Sequence, residues 1–309
     1  MNEILFEDLI NRIKKENILN LVIMKDEEIV ADYNKKDEYK ESKFIINSCT
    51  KSIISALIGI AISEGLILGV NQPISDYFPE LKKDSVDKRK KDITIYHLLT
   101  MSSGISWPEF NNWAFISELM QSHNWVNFIL DRPMEANPGE RFNYSSGGSH
   151  LLSAIISQST GMNAYTFAQK HLFKPLGINN ITWMSDPQGN SNGGFGIEMS
   201  AYDMVKIGKL YLDMGKYGDA YLIPKEWVRE SLKPGMLASK AMGNYGYQWW
   251  MKDFKYPKEI VTVYFAMGNG GQFIFVVPSK NMVAVFISDN YEDSFRPLYY
   301  LRKYILKMF

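Results

Sequence analysis

The most continuous apolar stretch of the chain runs from Phe44 to Leu66, where Ile53, Ile54, Ala56, Leu57, Ile58, Ile60 and Ala61 leave few polar positions on any face. Such a stretch predicts an extended lead-in and then one long helix buried on most sides. Upstream, Ile4, Leu5, Leu9, Ile10 and Ile13 recur at helical spacing to about Glu16. Residues 19–24 and 28–33 predict two strands, and the polar Lys25-Asp26-Glu27 between them makes an antiparallel hairpin. From Asn71 to about Lys240 the pattern breaks into short helical segments, 95–101, 125–130, 149–159, 164–172 and 201–214, parted by Pro, Gly and Asn. Strands return after Lys240 at 261–267, 272–277 and 282–288, and a helix over about 294–308 follows. Strands at both ends of a helical middle predict an α+β fold, with one antiparallel sheet of about five strands built from both termini and flanked by helices. The expected division assigns residues 1–68 and 241–309 to the sheet and 69–240 to a mainly helical subdomain, with a site between them.

Composition narrows the function classes. The 309 residues are 46% hydrophobic and 22% charged, as in an ordinary globular protein. Lys+Arg and Asp+Glu stand at 34 each, which leaves no electrostatic footprint for nucleic acid or an anionic membrane. The basic run from Lys82 to Lys91, broken by Asp84 and Asp87, reads as a solvated loop. Cys49 is the one cysteine, so no internal disulfide forms, and it reads as a buried structural thiol. The N-terminal stretch alternates acids and bases without the apolar core of a signal peptide, and the helix after Ser48 is broken by Ser52, Ser55 and Gly59. A cytoplasmic location is expected.

Four stretches carry candidate chemistry. Ser48 and Lys51 are three apart, so on a helix they share a face and the amine approaches the hydroxyl as a base approaches a nucleophile. The helix N-terminus also offers free N–H groups to an oxyanion. Ser-x-x-Lys is nevertheless a loose pattern in which Ser often serves as a plain N-cap. Tyr144 stands in a polar loop before an apolar helix, where a phenol near an ammonium can relay a proton. Gly268, Gly270 and Gly271 lead into a strand and let the backbone lie against a ligand, although a glycine turn is commonly only a turn. HLLTMSSGI reads as a helix ending at Gly104, with His97 satisfied within it.

Together with SCTK at 48–51, the segments ITIYHLLTMSSGI, NPGERFNYSSGG, FKPLGINNITW, GGFGIEMSAYDMVKIGKLYL, YGYQWW and GNGGQ resemble the serine β-lactamase, penicillin-binding and transpeptidase-like superfamily over 45–288. The closer resemblance is to its class C-like branch of carboxylesterases, D-amino-acid peptidases and 6-aminohexanoate-dimer hydrolase. The resemblance implies that Ser48 is the acylated nucleophile, Lys51 its base and Tyr144 the proton shuttle. It further implies that the backbone N–H of Gln272 completes an oxyanion hole with that of Ser48. Ser146, Asn269, Gly270 and Gly271 fall on substrate-contacting positions. Two of these depart from the family's pattern. Ser146 replaces an amide, and neutral Asn269 stands where a cation would attract a substrate carboxylate.

Competing classes find less support. The chain is read as lacking the Gly-x-Ser-x-Gly elbow of Ser-His-Asp hydrolases. His97, His123, His150 and His171 are scattered without a metal-binding pattern, so no metal and no cofactor is expected. The resulting expectation is a serine hydrolase whose partner is a small-molecule ester or amide. The alternatives are a β-lactamase or D-amino-acid peptidase, and a non-catalytic ligand-binding descendant. Trp107, Phe110, Trp113, Trp125, Tyr245, Tyr247 and Trp249 are expected to line an apolar cleft or to lie in the core.

Overall fold

The computed structural model describes residues 2–109 and 114–309. Two strands, β1 (Ile18–Lys25) and β2 (Glu28–Asn34), form the expected hairpin. Six more lie near the other end: β3 (Met236–Ser239), β4 (Gly243–Tyr245), β5 (Trp250–Lys255), β6 (Ile260–Gly268), β7 (Gln272–Val277) and β8 (Met282–Ser288). They join in one antiparallel sheet of order β2-β1-β8-β7-β6-β5-β4-β3. The sheet therefore has eight strands rather than about five, and strands return at Met236 rather than after Lys240. The additional strands β3, β4 and β5 have little apolar alternation of their own, and pairing outward from β6 makes them strands.

Every residue of β7 and β8 is buried, because helices cover both faces of the sheet centre. On one face, Leu9 and Ile13 of α1 (Glu3–Ile13) pack with Tyr300, Leu301, Tyr304 and Ile305 of the C-terminal helical run. On the other, Gly208 of the helix 201–212 abuts Ile274 and Val283, and α2 (Thr50–Ser63), buried at every position from Thr50 to Ala61, shares that core. The helical middle supplies α3 (Ile95–Leu99), α4 (Ala114–Gln121), α5 (Trp125–Leu130), α6 (Ser146–Thr160), α7 (Ala164–Ala168), α8 (Ala201–Leu212) and α9 (Lys225–Ser231).

Two local expectations change. The helix expected to end at Gly104 ends at Leu99, because Met101 turns left-handed at φ 57°. The basic run is mostly exposed, but Lys90 is buried and its ammonium donates to the Leu130 carbonyl. Among the described residues no helix is long and apolar enough to cross a membrane.

Candidate active site

Ser48 lies in a tight turn, Asn47–Cys49, between a two-residue strand (Phe44–Ile45) and α2. The turn requires Asn47 to adopt φ 46°, a left-handed conformation that asparagine tolerates better than most residues. Its side-chain amide donates to the Asn269 carbonyl at 2.7 Å and so clamps the turn to the β6–β7 hairpin. One helical turn on, Lys51 Nζ donates to Ser48 Oγ at 2.8 Å. The i, i+3 spacing thus brings the two groups together. Cys49 is buried as expected, and burial pushes its thiol pKa up.

Lys51 is 1% exposed and has two further oxygen neighbours, Ser146 Oγ at 2.9 Å and the Gly194 carbonyl at 2.8 Å. That carbonyl reaches the lysine because residues 193 and 194 lack side chains: a Cβ on Gly193 would lie 2.1 Å from the Ser149 carbonyl oxygen. Burial lowers the Lys51 pKa to about 8, against the opposing pull of the Glu109 carboxylate. At pH 7 roughly a tenth is then free amine. Tyr144 offers Lys51 its ring face, 4.8 Å from Nζ to the centroid. The ring is stacked on Trp250 and lies edge-on to Tyr245, which fixes its position. Burial raises the phenol pKa well above its ordinary value, partly opposed by a hydrogen bond with Ser48.

Several site residues sit differently from expectation. Ser146 faces no open cleft; it is 2% exposed and wedged between Lys51 and Glu109. Gly270 and Gly271 adopt φ 83° and 88° and form the hairpin turn. Gln272 is held inside the sheet, its Nε2 donating to the Ser288 carbonyl at 2.6 Å. Asn269 does border the cavity at Ser48, its Oδ1 accepting from the Ser294 hydroxyl at 2.9 Å. Sequence reasoning missed Glu109 and Asn47. Glu109 has no pattern around it, whereas an asparagine just before Ser48 signals a left-handed turn.

The cavity beside Ser48 is about 170 Å³, lined by Ser48, Glu109, Tyr144, Met267, Gly268, Asn269, Ser294 and Phe295. It adjoins a groove of about 390 Å³ that shares Tyr144, Met267 and Phe295 and adds Phe142, Met242 and Trp250. Trp107, Trp125, Tyr245, Tyr247 and Trp249 are all buried in the core, and Phe110 and Trp113 lie outside the described residues. A larger hollow of about 570 Å³ near Lys40, Lys43 and Lys206 is open and polar and lies away from Ser48.

Gly189 to Gly193 does spell Gly-x-Ser-x-Gly, contrary to the expectation from sequence. It is no nucleophile elbow: Ser191 is 1% exposed in a loop, and its hydroxyl accepts from the Tyr165 N–H. The nearby His150–Asp186 pair, 3.0 Å apart, is likewise buried. Among the described residues no group of three or more His, Cys, Asp or Glu is placed to hold a metal ion.

A family model, Beta-lactamase, matches residues 15–305. The 6-aminohexanoate-dimer hydrolase of Paenarthrobacter ureafaciens is 23% identical over 270 residues, 79% of this chain and 66% of that protein. Two solved structures share the fold. The penicillin-binding protein homologue from Pyrococcus abyssi has a TM-score of 0.77 at 21% identity, over 100% of this chain and 77% of its own. The D-stereospecific amidohydrolase from Streptomyces sp. has a TM-score of 0.75 at 14% identity, over 98% of this chain and 99% of its own.

Proposed function

Because this chain belongs to the β-lactamase family, which includes hydrolases among its relatives, we propose that it is a serine hydrolase cleaving a small ester or amide through an acyl-enzyme on Ser48. The observation that carries the reading is a buried lysine, with a pKa of about 8, whose Nζ lies 2.8 Å from a partly exposed serine hydroxyl.

In acylation the free amine of Lys51 takes the Ser48 proton while Ser48 Oγ bonds to the acyl carbon. The carbonyl electrons move onto its oxygen. That oxyanion is met by the Ser48 N–H at the helix start. We place the second donor at the backbone N–H of Gln272, whose carbonyl accepts from Cys49 Sγ at 3.5 Å beside the Ser48 turn. Collapse of the intermediate expels the leaving group, which takes the proton of Tyr144, a phenol that burial keeps protonated at rest. In deacylation the tyrosinate takes a proton from water, the hydroxide adds to the acyl carbon, and Ser48 leaves with the proton returned by Lys51. One water is consumed, and an acid and an alcohol or amine are released. The apolar groove beyond Tyr144 suits an uncharged leaving group or acyl chain.

Ser48→Ala is expected to abolish hydrolysis of p-nitrophenyl esters and labelling by a fluorophosphonate while the far-UV spectrum stays unchanged. A folded Ser48→Ala protein with the wild-type rate would remove the basis of the assignment.

A further inference from the structure

Glu109 is 3% exposed, and each of its carboxylate oxygens is engaged. Oε2 accepts from the Ser146 N–H at 2.6 Å and from Trp107 Nε1 at 2.8 Å. Oε1 accepts from the Ser146 hydroxyl at 2.6 Å. That bond uses the one proton Ser146 Oγ has, so toward Lys51, at 2.9 Å, Ser146 can only accept. The Gly194 carbonyl, at 2.8 Å, can also only accept. A neutral amine has two N–H bonds and one lone pair. With both N–H bonds drawn to Ser146 and Gly194, the lone pair is left facing the third neighbour, the Ser48 hydroxyl.

We infer that Glu109 is a positioning residue for the proposed hydrolysis: by holding the Ser146 proton it makes Ser146 an acceptor and thereby aims the Lys51 lone pair at Ser48. Without that constraint Ser146 can donate to Lys51 and occupy the lone pair, and the base then faces the wrong hydroxyl. Glu109 thus acts through two other side chains and forms no bond to the reacting atoms. Its charge has a separate effect. The titratable groups facing Lys51 among the described residues are Cys49 on its own turn, with Glu109 and Tyr144 from the helical middle. Burial keeps Cys49 and Tyr144 protonated, so Glu109 is the charge that holds the lysine pKa up.

The inference rests on the serine-hydrolase reading, and one experiment separates the two. The rate of Ser48 labelling by a fluorophosphonate and kcat/KM for a short p-nitrophenyl ester are measured against pH for wild type, Glu109→Gln, Ser146→Ala and the double variant. The amide that Glu109→Gln introduces presents an N–H to Ser146 and reverses that bond. Each single variant is expected to be slower by roughly tenfold to a hundredfold, within the range of a misplaced general base. The double variant is expected to be no slower than the worse single one, because both changes break one relay. The acid limb of the profile moves to lower pH in Glu109→Gln and stays in place in Ser146→Ala. A purely structural role for Glu109 would not move that limb. If Glu109→Gln does not fold, Ser146→Ala labelled at the wild-type rate overturns the inference. So does a labelled wild type whose rate and limb Glu109→Gln leaves unchanged, or a double variant whose losses multiply. A wild type that takes no label at Ser48 overturns the inference together with the hydrolase reading.

Discussion

Lys51 is where burial and bonding oppose each other most sharply. Its folded pKa of about 8 lies below the 10.5 of an unburied lysine. Below pH 8 both folded and unfolded chains carry the proton, and the folded chain bears the cost of a buried ammonium. Between pH 8 and 10.5 the unfolded chain binds the extra proton, so stability rises with pH by about 3 kcal/mol from this group. Replacing it with Lys51→Met removes that slope. The stability of Lys51→Met relative to wild type is therefore expected to fall by about that amount across this window in urea denaturation. A relative stability constant in pH would show that the lysine is not held below its ordinary pKa. The pairing of Ser48 with Lys51 was legible from sequence because it is local: one helical turn sets the distance.

At the scale of elements, the site rests on helices tied together by one buried amide. Gln248 adopts φ 61° between Tyr247 and Trp249. Its Nε2 donates to the carbonyls of Leu98 and Leu99 at the end of α3, and its Oε1 accepts from Ser149 of α6 at 2.8 Å. Its backbone carbonyl accepts from Ser52 of α2 at 2.7 Å. Gln248→Leu keeps the volume but removes three hydrogen bonds, while the Leu98 and Leu99 carbonyls and the Ser149 hydroxyl each keep one other partner. A lost hydrogen bond costs about 0.5 to 1.5 kcal/mol net, so the three together are expected to cost roughly 2 to 4 kcal/mol in chemical denaturation. A loss below about 1 kcal/mol would mean that these groups find other partners. The elements read correctly from sequence, α2, β7 and β8, are long apolar runs whose environment is written in their own residues. The strands that were missed, β3 to β5, take their state from a neighbour across the sheet.

The charge of the cleft is a property of the assembled molecule, because Glu109 comes from the helical middle and Asn269 from the β6–β7 hairpin. Glu109 is the single charged side chain among the residues lining the cavity, and the Lys51 ammonium behind Ser48 offsets part of that charge. In the proposed function anionic substrates are disfavoured by neutral Asn269, which stands where the family resemblance puts a cation. Short neutral esters are expected to be cleaved much faster than nitrocefin, a β-lactam carrying a carboxylate. Asn269→Lys supplies a charge-assisted bond of about 1.5 to 3 kcal/mol and should narrow the kcat/KM ratio by roughly tenfold to a hundredfold. A wild type that prefers nitrocefin, or a ratio unmoved by the substitution, would show that Asn269 does not set the preference.

The sequence by itself determined the helix that follows Ser48, the pairing of Ser48 with Lys51, the central strands and the neutrality of position 269. Each depends on spacing within one element or on the chemistry of one residue. Tertiary structure alone decided that Asn47 is clamped to Asn269, that Gly194 supplies a carbonyl to Lys51, and that Glu109 faces Ser146 rather than solvent. It also decided between cleft and core for the aromatics, burying Trp107, Trp125, Tyr245, Tyr247 and Trp249, and put Met267 and Phe295 beside Ser48. Those contacts join residues far apart in the chain, where no periodicity links one to the other. Their partners are chosen by which surfaces the packed helices and sheet bring within hydrogen-bonding distance.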